Sequence, residues 1–141
     1  MFQTVVAKFG GTSVANTAAM NNSADVVLSN PDVRLVVLSA SAGVTNLLVA
    51  LAEGCDADKR RVLLDEVRQI QYAILDDLPD SAVVREEIDR LLENIAMLSE
   101  GASLATSCAL TDELVSHGEL MSTLLFVEVL RSRNVEAEWL D

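Results

Sequence analysis

Leu35-Val36-Val37-Leu38 places four apolar residues in a row. Successive side chains of a strand point to opposite faces, so this strand is apolar on both. Such a strand belongs in a sheet covered on both sides, which usually means parallel pairing. A second apolar run, Val5-Val6-Ala7, ends in Lys8-Phe9 and then Gly10-Gly11. It reads as a buried strand feeding a glycine loop. Between the two, Asn16 or Thr17 can cap a helix striped by Met20, Ala24, Val27 and Leu28. Asn30-Pro31 stops it, because the residue before proline avoids the α region.

The second strand ends in a small-residue loop, Ser39-Ala40-Ser41-Ala42-Gly43. Thr45 suits the N-cap of a helix through Leu47, Leu48 and Leu51, and Gly54 suits its end. Leu63, Val67, Ile70 and Ile74 recur at helical spacing, as do Val84, Ile88, Leu91, Ile95 and Leu98. With the turn Leu78-Pro79-Asp80-Ser81 between them, they predict a helical hairpin over about 57–100, inserted beside the sheet. Charge runs such as Arg85-Glu86-Glu87 read as its solvated surface. A further helix is expected from Thr111 or Asp112 to about Arg133. Val135, Ala137 and Trp139 then alternate with Glu136 and Glu138, so Val135 to Leu140 reads as a third strand. This order predicts an α/β fold, a mainly parallel sheet flanked by helices. No repeat, low-complexity stretch or flexible linker interrupts it.

Half of the 141 residues are hydrophobic and the mean hydropathy is +0.31. That is apolar for a small free-standing domain, which buries a smaller share of its surface than a large one. Either some of this surface belongs against further protein, or the chain is helix-rich and dimeric. The net charge of −12 disfavours a nucleic-acid surface and an anionic membrane surface. An anionic small substrate needs only local positive potential, from one lysine, backbone N–H groups and helix N-termini. Cys55 and Cys108 lie far apart, with no CxxC and no Cys/His cluster, which argues against a zinc site and a disulfide framework. A reducing cytoplasm is the expected compartment. No long uncharged apolar window and no signal-peptide pattern is present.

Ligands of open parallel sheets bind outside the carboxyl ends of the strands. Both small-residue loops fall there. In Lys8-Phe9-Gly10-Gly11-Thr12-Ser13 the glycines let the backbone approach an anion, and Lys8 offers a charge to a phosphoryl group in transfer. Thr12 and Ser13 add hydroxyl donors. An ordinary strand-to-helix turn with an exposed lysine has the same local pattern. The segment is neither a Walker A loop nor GxGxxG. The Thr45 hydroxyl and the first N–H groups of its helix would suit a carboxylate. Along the late helix, Asp112, Ser116, Glu119 and Thr123 form a polar stripe between apolar faces. An unpaired buried charge is costly, so Glu119 is expected to meet a cation, a ligand ammonium group or solvent. His117 reads as structural, and Gly118 as a point of close packing.

Taken together, KFGGTS at 8–13, LSASAGVTN at 38–46 and LTDELVSHGELMS at 110–122 resemble the aspartokinases of the amino-acid kinase fold. The pattern is most similar to the bacterial lysine-sensitive monofunctional type. The resemblance implies a partial carbamate-kinase-like fold and the reaction of ATP with L-aspartate to give ADP and 4-phospho-L-aspartate. It implies that Lys8, with Gly10 and Gly11, stabilises the phosphoryl group. Ser39, Ala40 and Thr45 would hold aspartate, and Glu119 its α-ammonium group. Magnesium would accompany ATP, with no metal site of the chain's own. Residues 1–141 would be the N-terminal part of the kinase domain. The resemblance places most of the nucleotide pocket, an arginine for the substrate α-carboxylate and the dimer-forming ACT modules beyond them. The isolated chain is then expected to be inactive and to self-associate. The alternatives are a bifunctional aspartokinase–homoserine dehydrogenase, another amino-acid kinase such as a glutamate kinase, and a non-catalytic binding module.

Overall fold

A computed structural model of the chain describes residues 4–79, 81–102 and 107–140. Strand β1 (Val5–Phe9) leads through a 3₁₀ turn (Gly11–Val14) into helix α1 (Thr17–Ser29), and strand β2 (Val33–Leu38) follows. Helices α2 (Val44–Ala52), α3 (Ala57–Leu75), α4 (Ala82–Ala102) and α5 (Cys108–Ser132) complete the order. The architecture is α/β, with β1 and β2 paired in parallel.

The local causes are visible. The Asn16 side chain caps α1 by accepting from the Ala19 N–H at 2.8 Å. Asp56 caps α3 in the same way through the Lys59 N–H, and Ser107 caps α5 through Leu110. Each satisfies a donor that the first helical turn leaves without a partner. Helix α5 therefore begins at Cys108, earlier than the expected Thr111 or Asp112, because Ser107 supplies the cap.

Helix α5 is the hub. It packs on α2, α4, α1, α3 and β2. Leu114, Met121, Leu125, Phe126 and Val129 on it are buried. Each such side chain contributes about 1.5–3 kcal/mol through apolar burial. Phe126 stacks on Phe9 of β1, ring centroids 6.2 Å apart, which fixes the sheet to the helix. The hairpin of α3 and α4 leans on α2 and α5, beside the sheet as expected.

Two expectations need correcting. Val135–Leu140 is not a strand. Its burial alternates, but a ladder needs a partner backbone, and none of the described residues pairs with it. Instead it lines, together with β2 and α5, a groove of about 850 Å³. The sheet also has one bare face. Lys8 pairs with Val37 and Val6 with Leu35, so these four side chains share a face. Val6, Leu35 and Val37 are 54%, 40% and 44% exposed there.

Candidate active site

The two small-residue loops meet at the carboxyl end of the sheet. The Ser39 N–H donates to the Phe9 carbonyl at 3.1 Å, which extends the ladder one residue past β2. The Ala42 N–H then donates to the Gly11 carbonyl at 3.0 Å. The loops approach so closely that a Cβ on Gly11 would lie 2.9 Å from the Ala40 carbonyl oxygen. The glycine loop is tied at its far end too, where the Ser23 hydroxyl of α1 donates to the Ser13 carbonyl at 2.7 Å. Gly10 differs from its neighbour. A Cβ there would meet nothing within 4 Å, so its surface is open. Lys8 and Thr12 are exposed.

Thr45 is not the helix cap. Gly43, with φ +90°, occupies that position, and α2 starts at Val44. The left-handed backbone at Gly43 is one that glycine adopts without steric cost, so the turn takes the glycine and moves Thr45 into the first helical turn. No side chain caps the N-terminus of α2. The Val44 N–H is spent on the Ser41 carbonyl at 3.0 Å; the next N–H groups, of Thr45 and Asn46, and the exposed Thr45 hydroxyl form a donor set suited to a carboxylate.

Glu119 stands on α5 and lines the groove with Thr123 and Leu120. The polar stripe runs along the accessible edge of α5, not through buried surroundings. Asp112, Ser116 and Glu119 are exposed, and Thr123 is half-buried. The Ser116 and Thr123 hydroxyls donate back to carbonyls of their own helix, of Glu113 and Glu119. Glu119 and Lys8 form no ion pair with any described residue, which leaves both charges available to a ligand. His117 is buried with Nδ1 2.7 Å from the Glu113 carbonyl, a structural contact. Gly118 is packed tightly, since a Cβ there would lie 2.8 Å from Leu48 Cδ1 and 3.0 Å from Ala40 Cβ.

The glycine loop, the Ser39–Thr45 loop and the uncapped start of α2 thus adjoin at the carboxyl end of the sheet, whereas Glu119 lines the separate groove beside β2, which none of Lys8, Gly10, Gly11 and Thr45 lines. The amino acid kinase family model matches residues 3–141. The chain belongs to the amino acid kinase family. Among its relatives, lysine-sensitive aspartokinase 3 of Escherichia coli (strain K12) is 68% identical over 141 residues, all of this chain and 31% of that protein. A solved structure of E. coli aspartokinase III in complex with aspartate and ADP superposes with a TM-score of 0.96 at 68% identity. It covers 98% of this chain and 31% of that one. The chain thus spans about a third of the length of these relatives. The putative inactive aspartokinase 3 of Haemophilus influenzae is 46% identical over 116 residues, 78% of this chain and 88% of that protein.

Ser122 makes a contact with the Ser39–Thr45 loop that the sequence does not single out. Its buried hydroxyl donates to the Ser39 carbonyl at 2.6 Å, across the loop–helix seam. The signal was present: Ser122 lies four residues after Gly118, on the same helix face.

Proposed function

We propose that the chain carries the aspartate-binding and phosphoryl-stabilising half of an aspartate kinase, which transfers the γ-phosphoryl group of ATP to the side-chain carboxylate of L-aspartate. The observation that carries this reading is the joining of the glycine loop to the Ser39–Thr45 loop through Ala42 and Gly11. It supports the reading because the two loops lie side by side; with one taken as the phosphate cradle and the other as the carboxylate cradle, they meet the requirement of in-line transfer between two substrates. Lys8 offsets the negative charge that spreads over the transferring group, and Gly10 leaves the backbone N–H groups open to it. Ser39, Ala40 and Thr45, with the start of α2, hold the aspartate. Glu119 accepts its α-ammonium group. Magnesium arrives with ATP, held chiefly by phosphate oxygens and water, and needs few protein ligands. The neighbouring structure's aspartate and ADP support this substrate pair. Among the described residues no helix is long and apolar enough to cross a membrane. On the aspartate-kinase reading the protein works in the cytoplasm and opens the route to lysine, threonine and methionine.

The test is trapping of aspartyl phosphate by hydroxylamine, using the full-length protein of the reading frame that holds these residues. Turnover with ATP and L-aspartate is expected, and Lys8→Met should cut kcat by at least about a hundredfold, as loss of one transition-state donor does. Residues 1–141 alone should give no measurable turnover. Clear turnover by residues 1–141 alone would show that the rest of the site is dispensable.

One observation favours a second reading, a non-catalytic binding module. The Haemophilus relative, of which this chain covers 88%, is described as a putative inactive aspartokinase. If the full-length protein gave no hydroxamate but bound L-aspartate in calorimetry, that second reading would stand.

A further inference from the structure

We propose that Ser122 is a positioning residue, whose hydroxyl holds the Ser39–Thr45 loop in register with the helix that carries Glu119; its catalytic consequence rests on the aspartate-site reading above. Ser122 is fully buried. Its Oγ is 2.6 Å from the Ser39 carbonyl and 3.0 Å from the Glu119 carbonyl. A hydroxyl has one proton to donate, and the shorter contact identifies Ser39 as its acceptor. This bond joins residues 83 positions apart in the chain. Among the described residues it is the one side-chain hydrogen bond between α5 and this loop.

The surroundings make the bond selective. Gly118, one turn earlier on the same helix face, lets Ala40, Val44 and Leu48 press against α5. Apolar contact of that kind sets the distance between loop and helix but leaves sliding along the helix axis weakly opposed. A directed hydrogen bond fixes that remaining freedom. The Ser39 carbonyl is also the point where the β2 ladder ends, since the Ser39 N–H is already held by Phe9. Ser122 thus clamps the residue that directly follows β2, from which Ala40 and the start of α2 hang. The groups read as gripping the two ends of the amino acid, Thr45 with the α2 N–H groups and Glu119, reach their spacing through this clamp.

Substituting Ser122→Ala in the full-length protein is expected to raise KM for L-aspartate about tenfold, the equivalent of one buried hydrogen bond. KM for ATP should stay within twofold. Ser122→Thr keeps the hydroxyl and is expected to restore most of the aspartate affinity. Hydrogen–deuterium exchange reads the clamp without activity: amides of Ala40 to Val44 should exchange faster in S122A, while those of α3 and α4 are unchanged. Equal increases in both KM values, or an aspartate KM within twofold of the unsubstituted protein, overturn the proposal. Should the unsubstituted protein lack kinase activity, the functional reading fails and exchange decides the clamp: faster exchange at 40–44 supports it, and unchanged protection overturns it. A general acceleration across α3 and α4 in both S122A and S122T marks a folding defect and overturns the specific role.

Discussion

A methyl group at Gly11 would lie 2.9 Å from the Ala40 carbonyl oxygen, a backbone atom that cannot swing aside. At Gly10 it would meet nothing within 4 Å, and the backbone there has φ −80°, which any residue adopts. The two glycines therefore predict different phenotypes. Gly11→Ala should lower stability by about 1–3 kcal/mol, the cost of forcing an extra methyl into a packed site. Gly10→Ala should leave stability within about 0.5 kcal/mol. Its effect belongs to the ligand instead: if the open surface at Gly10 admits a phosphoryl group, G10A raises KM for ATP. Denaturant unfolding of both variants, beside kinetics of G10A in the full-length protein, separates the roles. Equal destabilisation by both would show that the loop junction is softer than its distances indicate. In the sequence these residues are one Gly-Gly pair, and only the partner loop, 29 residues away at Ala40, tells them apart.

The elements themselves were largely legible. Both strands, α1 and the helical hairpin follow from periodicity and turn residues, since local pattern decides long amphipathic segments. Parallel pairing of the two strands was legible too; what sequence could not supply was whether the last alternating segment has a partner. Val135–Leu140 alternates like a strand, yet a strand exists only with a neighbour to bond. The hairpin also holds its most specific contacts at positions that periodicity does not mark. Tyr72 of α3 donates to the Asp89 carboxylate of α4, and the Arg68 and Arg85 guanidiniums lie over its ring, 5.3 and 5.1 Å from its centroid. The hydrogen bond to Asp89, then burial, raise the Tyr72 pKa above the ordinary 10.0. A raised folded-state pKa stabilises the fold below the unfolded pKa and is lost as pH rises through the folded one. The α3–α4 contact should therefore weaken only on the alkaline side. Tyr72 is the chain's single tyrosine, so absorbance at the tyrosinate band reports it alone. The titration midpoint should lie above 10, and Asp89→Asn should lower it. A midpoint unmoved by D89N would remove Asp89 as the cause. Gln71, one residue earlier, is fully buried with neither amide atom hydrogen-bonded to any described residue. Replacing it with the similarly shaped methionine should raise stability by about 1 kcal/mol, because an unpartnered buried amide costs more than an apolar group. Thermal unfolding of Q71M checks this, and a lower melting temperature would point to a partner that the amide needs.

At the scale of the whole molecule, the doubly apolar β2 is in conflict with its surroundings. Its pattern asks for cover on both faces, and α5 covers one. Leu35 and Val37 remain exposed on the other, beside Val6. Clustered apolar exposure on a sheet face drives association. Residues 1–141 on their own should therefore self-associate, with sedimentation that depends on concentration. The double substitution Leu35→Thr with Val37→Thr should suppress this and leave the melting temperature nearly unchanged, because threonine suits an exposed strand. The same double substitution in the full-length protein gives the opposite sign if further sheet or helix covers this face there. It should then destabilise by about 2–4 kcal/mol, since each threonine places a hydroxyl where an apolar group was buried. A full-length protein indifferent to the change would show that the face stays open. In that case the charge of Lys8, which rises from this same face beside Val37, would have to act on its ligand from an uncovered surface. High dielectric weakens such an interaction severalfold compared with a closed site. Cover over β2 is thus a condition for a strong phosphoryl clamp at Lys8: the paired stability measurements test the cover, and kcat of Lys8→Met tests the clamp.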